Sequence, residues 1–303
     1  MKRIVPVSIT LIFSVGAAWA GWLGESPALL QAAQNGAGQS RLERSSTHTW
    51  LGPEGRPLPF RSDEEVLGFL KKADVVSAER FGVGVNRIYR VLLEKDGTQA
   101  RAAFRHVKLE KSFHLPKRVG HTLRNGFRDD SIFELAAYRL SRLLGLHNVP
   151  PTVRRSIGGK NGTLQIWIER AMMEKERQQE KIPPPFARDW INQWQIRVLF
   201  DNLIFNDDRN QGNILIDSNW KVWLIDHTRS FRLVRALPNP ETVQHCSRDL
   251  WDRLRSLDKS TLKTRLGGIL RNSEIRSLLH RRDLLLAHLQ KLIDQKGEAA
   301  VLL

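Results

Sequence analysis

Three oxygen-bearing side chains stand at suggestive spacings in the second half of the chain. Asp208 precedes Asn213 by five residues, and Asp226 follows Asn213 by thirteen. The first two lie in NDDRNQGNILID, Asn206 to Asp217, where aspartate, asparagine and arginine crowd in front of a short apolar run. Taken singly, Asp207 and Asp208 are turn residues, because Asp and Asn bond their own backbone in turns, and Asp226 is a polar stop after the apolar VWLI. Taken as a set, they suit phosphoryl transfer. That chemistry needs an aspartate to orient an acceptor hydroxyl, plus an oxygen side chain and a carboxylate to hold a divalent cation on nucleotide phosphates. Mg2+ is hard, prefers oxygen and keeps several waters, so few protein ligands are required.

Positioning them is the work of the flanking elements. A hairpin of Asn213–Ile216 with Val222–Ile225 puts Asn213 at the start of one strand and Asp226 at the end of its partner, hence at the same end. ARDWINQWQIRVLFDNLIF reads as a helix leading into the loop, and helices fill the chain from Ser247 to Gln295. Upstream, SDEEVLGFLKKA has a Ser cap and acids in its first turn, the signature of a short helix. NRIYRVLLEKDGTQARAAFRHVKLE reads as two strands joined at Asp96-Gly97. Residues from Lys111 to Asp130 are basic and irregular and read as a loop. In DDSIFELAAYRLSRLLGL, Phe133, Ala136, Ala137, Leu140, Leu143 and Leu144 recur at helical spacing, with Gly145 as the stop. TVRRSI and TLQIWIE flank a Gly158–Gly162 turn, whose GGKNG lacks the spacing of a phosphate-binding P-loop. No internal repeat is present. The order, strands with one helix and then helices with one hairpin, predicts an α+β chain of two lobes. The boundaries read as 62–172 for a small β-rich lobe and 173–303 for a helical one.

These residues carry a resemblance. Asp208, Asn213 and Asp226 are spaced like the catalytic loop and metal aspartate of the protein-kinase-like superfamily. Asp208-Arg209-Asn210-x-x-Asn213 resembles the D-R-H-x-x-N of phosphatidylinositol 3/4-kinases. ELAAYRLSRLLGLHNVPPTV with FDNLIFNDDRN is similar to secretory-pathway kinases of the Golgi casein kinase type and to a group of uncharacterised bacterial proteins; HipA-like kinases share the loop more distantly. The resemblance implies Asp208 as the catalytic aspartate, Asn213 and Asp226 as metal ligands, and Glu134 as the acid pairing with a basic residue of the third strand. It implies Gly82 and Gly84, in Phe81-Gly82-Val83-Gly84, as a turn over the phosphates, and Trp167, Ile168 and Glu169 as the adenine-side hinge. Where the pattern has A-x-K, this chain has Ala103-Phe104-Arg105, so Arg105 takes the phosphate-side position; Arg is larger and forked, and the exchange is not conservative. Asn210 replaces the loop histidine, and His227 follows the metal aspartate. The implied cofactors are ATP and Mg2+ or Mn2+. Two functions stay open: a kinase moving the γ-phosphate to a hydroxyl of an unknown substrate, and an inactive kinase-like module that binds nucleotide or a partner.

Composition bounds the rest. With 41% hydrophobic and 26% charged residues, the 303-residue chain is globular. Residues 1–20 read as a signal peptide, with a basic Met1-Lys2-Arg3, an apolar Ile4–Ala18 and small residues at Ala18 and Ala20. The expectation is a secreted or periplasmic protein, with no transmembrane span after cleavage and a membrane anchor if the leader stays. Residues 21–61 read as a flexible linker. Cys246 is the single cysteine, which excludes an internal disulfide and a thiolate zinc site. The net charge of +16 favours anionic partners, an acidic substrate among them. The charge is spread, and the tryptophans do not interleave with it as a stacking platform requires, so no specific nucleic-acid site is expected.

Overall fold

The structure is a computed structural model, and it describes residues 48–81, 88–109 and 128–303. The leader, most of the linker, Gly82, Gly84 and the basic loop from Lys111 to Phe127 lie outside the described residues. Helix α1 (Asp63–Lys72) starts where the sequence placed it: the Ser62 hydroxyl accepts from the Glu65 amide at 3.3 Å, and Val66, Phe69 and Leu70 are buried. Five antiparallel strands follow in the spatial order β1-β2-β3-β7-β6: β1 (Asp74–Phe81), β2 (Ile88–Lys95), β3 (Thr98–Arg105), β6 (Thr152–Ile157) and β7 (Lys160–Ile166). Asp96 and Gly97, both at positive φ, make the two-residue turn between β2 and β3.

Strand β1 was not foreseen. It is an exposed edge along its whole length, so it carries none of the alternation that marks a half-buried strand. The second hairpin turn is also tighter than expected. Ile157 pairs with Lys160, so only Gly158 and Gly159 turn, and Gly162 lies within β7. A Cβ on Gly162 would overlap the Arg105 carbonyl oxygen, so this glycine serves the close approach of β7 to β3.

A two-stranded ladder, β4 (Lys108–Leu109) with β5 (Asp129–Asp130), leads into helix α2 (Ile132–Leu143). Leu146 donates back to the Ser141 carbonyl and Gly145 sits at φ 69, which closes α2 at the expected glycine. Beyond β7 come β8 (Met172–Met173), helix α3 (Glu174–Gln179) and the long helix α4 (Ala187–Ile204). The hairpin β9 (Ile214–Ile216) and β10 (Val222–Leu224) joins β8 in a three-stranded sheet. Helices α5 (Arg248–Ser256), α6 (Lys259–Leu266), α7 (Asn272–Lys296) and α8 (Glu298–Val301) complete the helical lobe.

Two apolar cores correspond to the two lobes, but they do not divide at the expected boundary. Phe133, Leu140 and Leu144 of the α2 region pack in the helical core with Leu199 and Leu203 of α4. Trp223 of β10, conversely, is fully buried in the small-lobe core with Trp50, Leu70 and Leu164. Each lobe therefore lends an element to the other's core. The linker expectation is corrected at its C-terminal end. Trp50 is buried, Leu58 and Phe60 pack against the small-lobe core, and Leu51 bridges Pro57, so the folded region begins by His48. Low periodicity concealed this segment because single aromatic anchors, not an amphipathic face, hold it down.

Candidate active site

Helix α4 ends in a reversal. Its C-cap, Phe205, is left-handed at φ 53, and the next residues form the loop that carries Asp208. A large aromatic rarely adopts this conformation, so the surroundings must impose it. Arg209 is the fastener. Its Nε lies 3.2 Å from both Asp201 carboxylate oxygens on α4, its Nη2 3.1 Å from Asp201 Oδ1, and its Nη1 3.0 Å from the Asn213 carbonyl oxygen. Nη1 also donates to the Ile225 carbonyl. One side chain thus ties helix, loop and both strands of the hairpin, and it is only 3% exposed. Removing one member of a buried ion pair leaves the other uncompensated and costs about 3–5 kcal/mol. Arg209→Met is expected to lower the unfolding free energy by that order; a urea titration showing a loss below ~1 kcal/mol, the size typical of exposed pairs, would contradict this role.

The hairpin brings two of the candidate residues together. Leu224 pairs with Ile214, and the Ile225 amide donates to the Asn213 carbonyl at 3.2 Å, so Asn213 and Asp226 lie side by side at one end. Asp226 is left-handed at φ 58, with one carboxylate oxygen accepting from the Thr228 hydroxyl at 3.3 Å. The Asn213 side chain makes no hydrogen bond among the described residues and is half-exposed. Asp208, in the preceding loop, accepts from Arg229 Nη1 at 2.9 Å, while Arg229 Nε holds Asp129 at 3.0 Å.

Behind these residues lies a fully buried carboxylate. Glu134, in the first turn of α2, accepts from the His227 backbone amide at 2.9 Å and lies 2.9 Å from its Nδ1. Arg105 Nε stands 3.7 Å from Glu134 Oε1. Burial pushes the Glu134 carboxyl up, but the Arg105 charge and the His227 hydrogen bonds outweigh it and bring the group down to about 2. Glu134 is therefore charged at neutral pH, and it locks the residue that follows Asp226. The His227 imidazole is pushed the other way: burial, then the Arg209 charge, lower it and favour the neutral ring.

Arg105 is 3% exposed, and its Nε and Nη1 have no hydrogen-bond partner among the described residues. A buried guanidinium with open donors is costly, and a phosphate oxygen is the kind of acceptor that fits it. Of the hinge residues, Ile168 is buried in the small-lobe core and Glu169 is tied to Arg101 at 3.0 Å. Trp167 is half-exposed, with its ring edge-on to Phe81 at 5.1 Å, which joins the ends of β1 and β7. Thus Arg105, Glu134, Asn213 and Asp226 gather around His227 and the hairpin end, with Asp208 on the adjoining loop, while the side chains of Ile168 and Glu169 are engaged in packing and an ion pair.

The donor set fits a hard divalent cation carried on phosphates. Asn213 offers an amide oxygen and Asp226 a carboxylate. Among the described residues no group of three or more His, Cys, Asp or Glu side chains is placed to hold an ion by itself. Two oxygen ligands with the remainder from phosphate and water is the Mg2+ habit.

No family model matches the sequence, and no curated protein matches it. Solved structures do. Hydra Fam20 with sugar aligns at a TM-score of 0.59 and 18% identity, over 80% of this chain and 93% of that one. The Golgi casein kinase aligns at a TM-score of 0.56 and 14% identity, over 80% of this chain and 78% of that one. Its form with Mn/ADP bound aligns at 0.56 and 15%, with the same coverage. The chain has a protein-kinase-like fold. The likeness covers both lobes and bears out the α+β, two-lobed expectation, with the atypical kinases of the Golgi casein kinase type as the similar structures. The likeness to phosphatidylinositol kinases rests on the loop residues alone.

Within the kinase-like fold, sequence reasoning passed over three residues that organise the cleft. On sequence, Arg209 is one letter of the loop motif and His227 a departure from it, and nothing marks Arg229. Arg209 and His227 are tied to groups distant in sequence, Asp201 with the hairpin backbone and Glu134 respectively. The only local sign was an arginine next to the loop aspartate.

Proposed function

We propose that the chain is an exported ATP-dependent phosphotransferase that moves the γ-phosphate to a hydroxyl of its substrate, with Mg2+ or Mn2+ held by Asn213 and Asp226. The observation that carries this reading is the shared fastening of the site: Arg209 bonds the carbonyls of Asn213 and Ile225 from a position next to Asp208. Asp208 accepts or orients the hydroxyl proton of the acceptor. Arg105, with open donors, takes a phosphate oxygen, and Glu134 holds Arg105 and the segment after Asp226 in place. When bound, the cation would offset phosphate charge. Trp167 and Phe81 cover the base side of the nucleotide, with Gly82 and Gly84 following directly in sequence. The Mn/ADP carried by the similar Golgi casein kinase supports nucleotide and metal use. Export is in keeping with residues 1–20 and with the Golgi in that kinase's name; among the described residues no helix is long and apolar enough to cross a membrane. The charge of +16 points to an acidic substrate.

The test is ADP release by the purified chain with ATP and Mn2+ or Mg2+. Metal-dependent turnover that rises with a hydroxyl acceptor is the expected result. Nucleotide binding without turnover would establish the inactive module instead. Absence of both binding and turnover would end the kinase reading.

A further inference from the structure

A cavity of about 590 Å³ lies away from the cleft, at the turn end of the β9–β10 hairpin, opposite the end that holds Asn213 and Asp226. Trp50, Trp190, Trp220 and Trp223 line it, with Arg142 and Lys221. Its volume is that of a small-molecule site, and its aromatic wall with a few polar groups is the usual make-up of one.

Two features of its wall bear on what it could hold. The first is Lys221. Its ammonium lies 3.9 Å from the centroid of the Trp223 ring, yet it makes no hydrogen bond or ion pair among the described residues. The acids nearby are already engaged. Asp217 accepts from Trp223 Nε1 at 2.9 Å and from the Lys221 amide at 3.0 Å, and Asp63 binds the Tyr138 hydroxyl at 3.0 Å and Arg142 Nε. Burial, then the Arg142 charge, pulls the Lys221 ammonium down to about 8, against the opposing pull of the Asp217 and Asp63 carboxylates. The second is Trp220. It occupies the hairpin turn in left-handed conformation, φ 63, where Gly or Asn is the ordinary choice. Gln193 of α4 pins it from both sides, donating to the Trp220 carbonyl at 3.0 Å and accepting from the Val222 amide at 2.7 Å. Its ring meets Trp190 edge-on at 6.1 Å. A bulky side chain held in a strained turn against a cavity is a feature to be explained by what it touches.

We propose that this cavity binds a small anionic ring compound, its ring against the indole of Trp220 and its carboxylate, phosphate or sulfate on Lys221. A ring of either sugar or aromatic type meets the geometry, since both present an apolar face to indole. The anion supplies the partner that Lys221 lacks.

The full chain is titrated with glucuronate, glucose 6-phosphate and benzoate, read by tryptophan fluorescence and by melting; glucose and inorganic phosphate serve as controls. Saturable quenching with a rise in melting temperature is expected from at least one ringed anion, and not from either control. Response to both sugar acids or to benzoate alone tells the two ring types apart. Lys221→Gln should weaken binding at least tenfold. Trp220→Gly relieves the strained turn, so it folds at least as well, and should also lose binding. The response should persist in Asp226→Asn, which separates this site from the nucleotide cleft. No saturable response to any ringed anion, an equal response to glucose, or binding unchanged in both cavity variants would overturn the proposal.

Discussion

Replacing Asp208 by Ala is expected to lower turnover by ~10²–10⁴, the usual contribution of a positioned acid–base group, while leaving the fold and nucleotide binding nearly unchanged. The structure separates these effects. Asp208 is half-exposed, at 52%, and Arg229, its side-chain partner among the described residues, is itself 38% exposed. An exposed pair of this kind contributes about 0–1 kcal/mol, so the variant keeps its stability. The loop keeps its shape as well, because Arg209 is anchored on Asp201 and on backbone carbonyls, not on Asp208. A loss in kcat with unchanged melting and unchanged ADP affinity is therefore diagnostic. Turnover within threefold of the parent would remove Asp208 from the mechanism. A large fall in stability would show that Asp208 is a structural turn residue, the reading its type alone supports.

Asp226→Asn is expected to abolish metal-dependent nucleotide binding. Asparagine keeps the shape, can still accept from Thr228, and is at home in the left-handed region that Asp226 occupies at φ 58. Alanine would add backbone strain to the loss of the ligand and confuse the two. What asparagine removes is the charge, and hard divalent cations bind through carboxylates. Mn·ADP at 100 times its dissociation constant stabilises the parent by about 2.7 kcal/mol, a shift of several degrees in a chain of this size. The variant should melt at the same temperature with and without Mn·ADP. An undiminished shift would place the metal elsewhere. A shift that survives but needs no metal would assign binding to Arg105 alone.

Arg105 bears on the choice between active enzyme and inactive module. A guanidinium in place of the lysine reads, on sequence, as a broken motif. In the structure it is buried 3.7 Å from Glu134, and its Nε and Nη1 make no hydrogen bond among the described residues. Glu134 serves more than this pair. By gripping His227 it couples β3, α2 and the segment after Asp226 into one buried unit.

The sequence by itself determined what local chemistry determines. Ser62 capped its helix, Asp96-Gly97 turned its hairpin, and the 3.6-residue periodicity of Phe133 to Leu144 marked α2 and its buried face. The short hairpin with Asn213 and Asp226 at one end was legible too, because two apolar runs of three residues separated by a polar turn have few other ways to pair. Tertiary structure decided the rest, and in each case the reason is a contact between distant residues. Edge strand β1 has no buried face to give it a period. Trp50, Leu58 and Phe60 fold a segment that composition assigns to a linker, by packing in and against the small-lobe core. Arg281, fully buried on α7 and pulled down to about 9 by that burial, donates to the carbonyls of Leu203, Arg232 and Val234; it binds the end of α4 to the chain beyond Asp226. Nothing in the local sequence marks such an arginine as internal, since its acceptors are backbone oxygens. These clamps, with Arg209 and Glu134, hold the loop of Asp208 and the hairpin end of Asn213 and Asp226 by buried bonds between residues far apart in the chain, which no local pattern encodes.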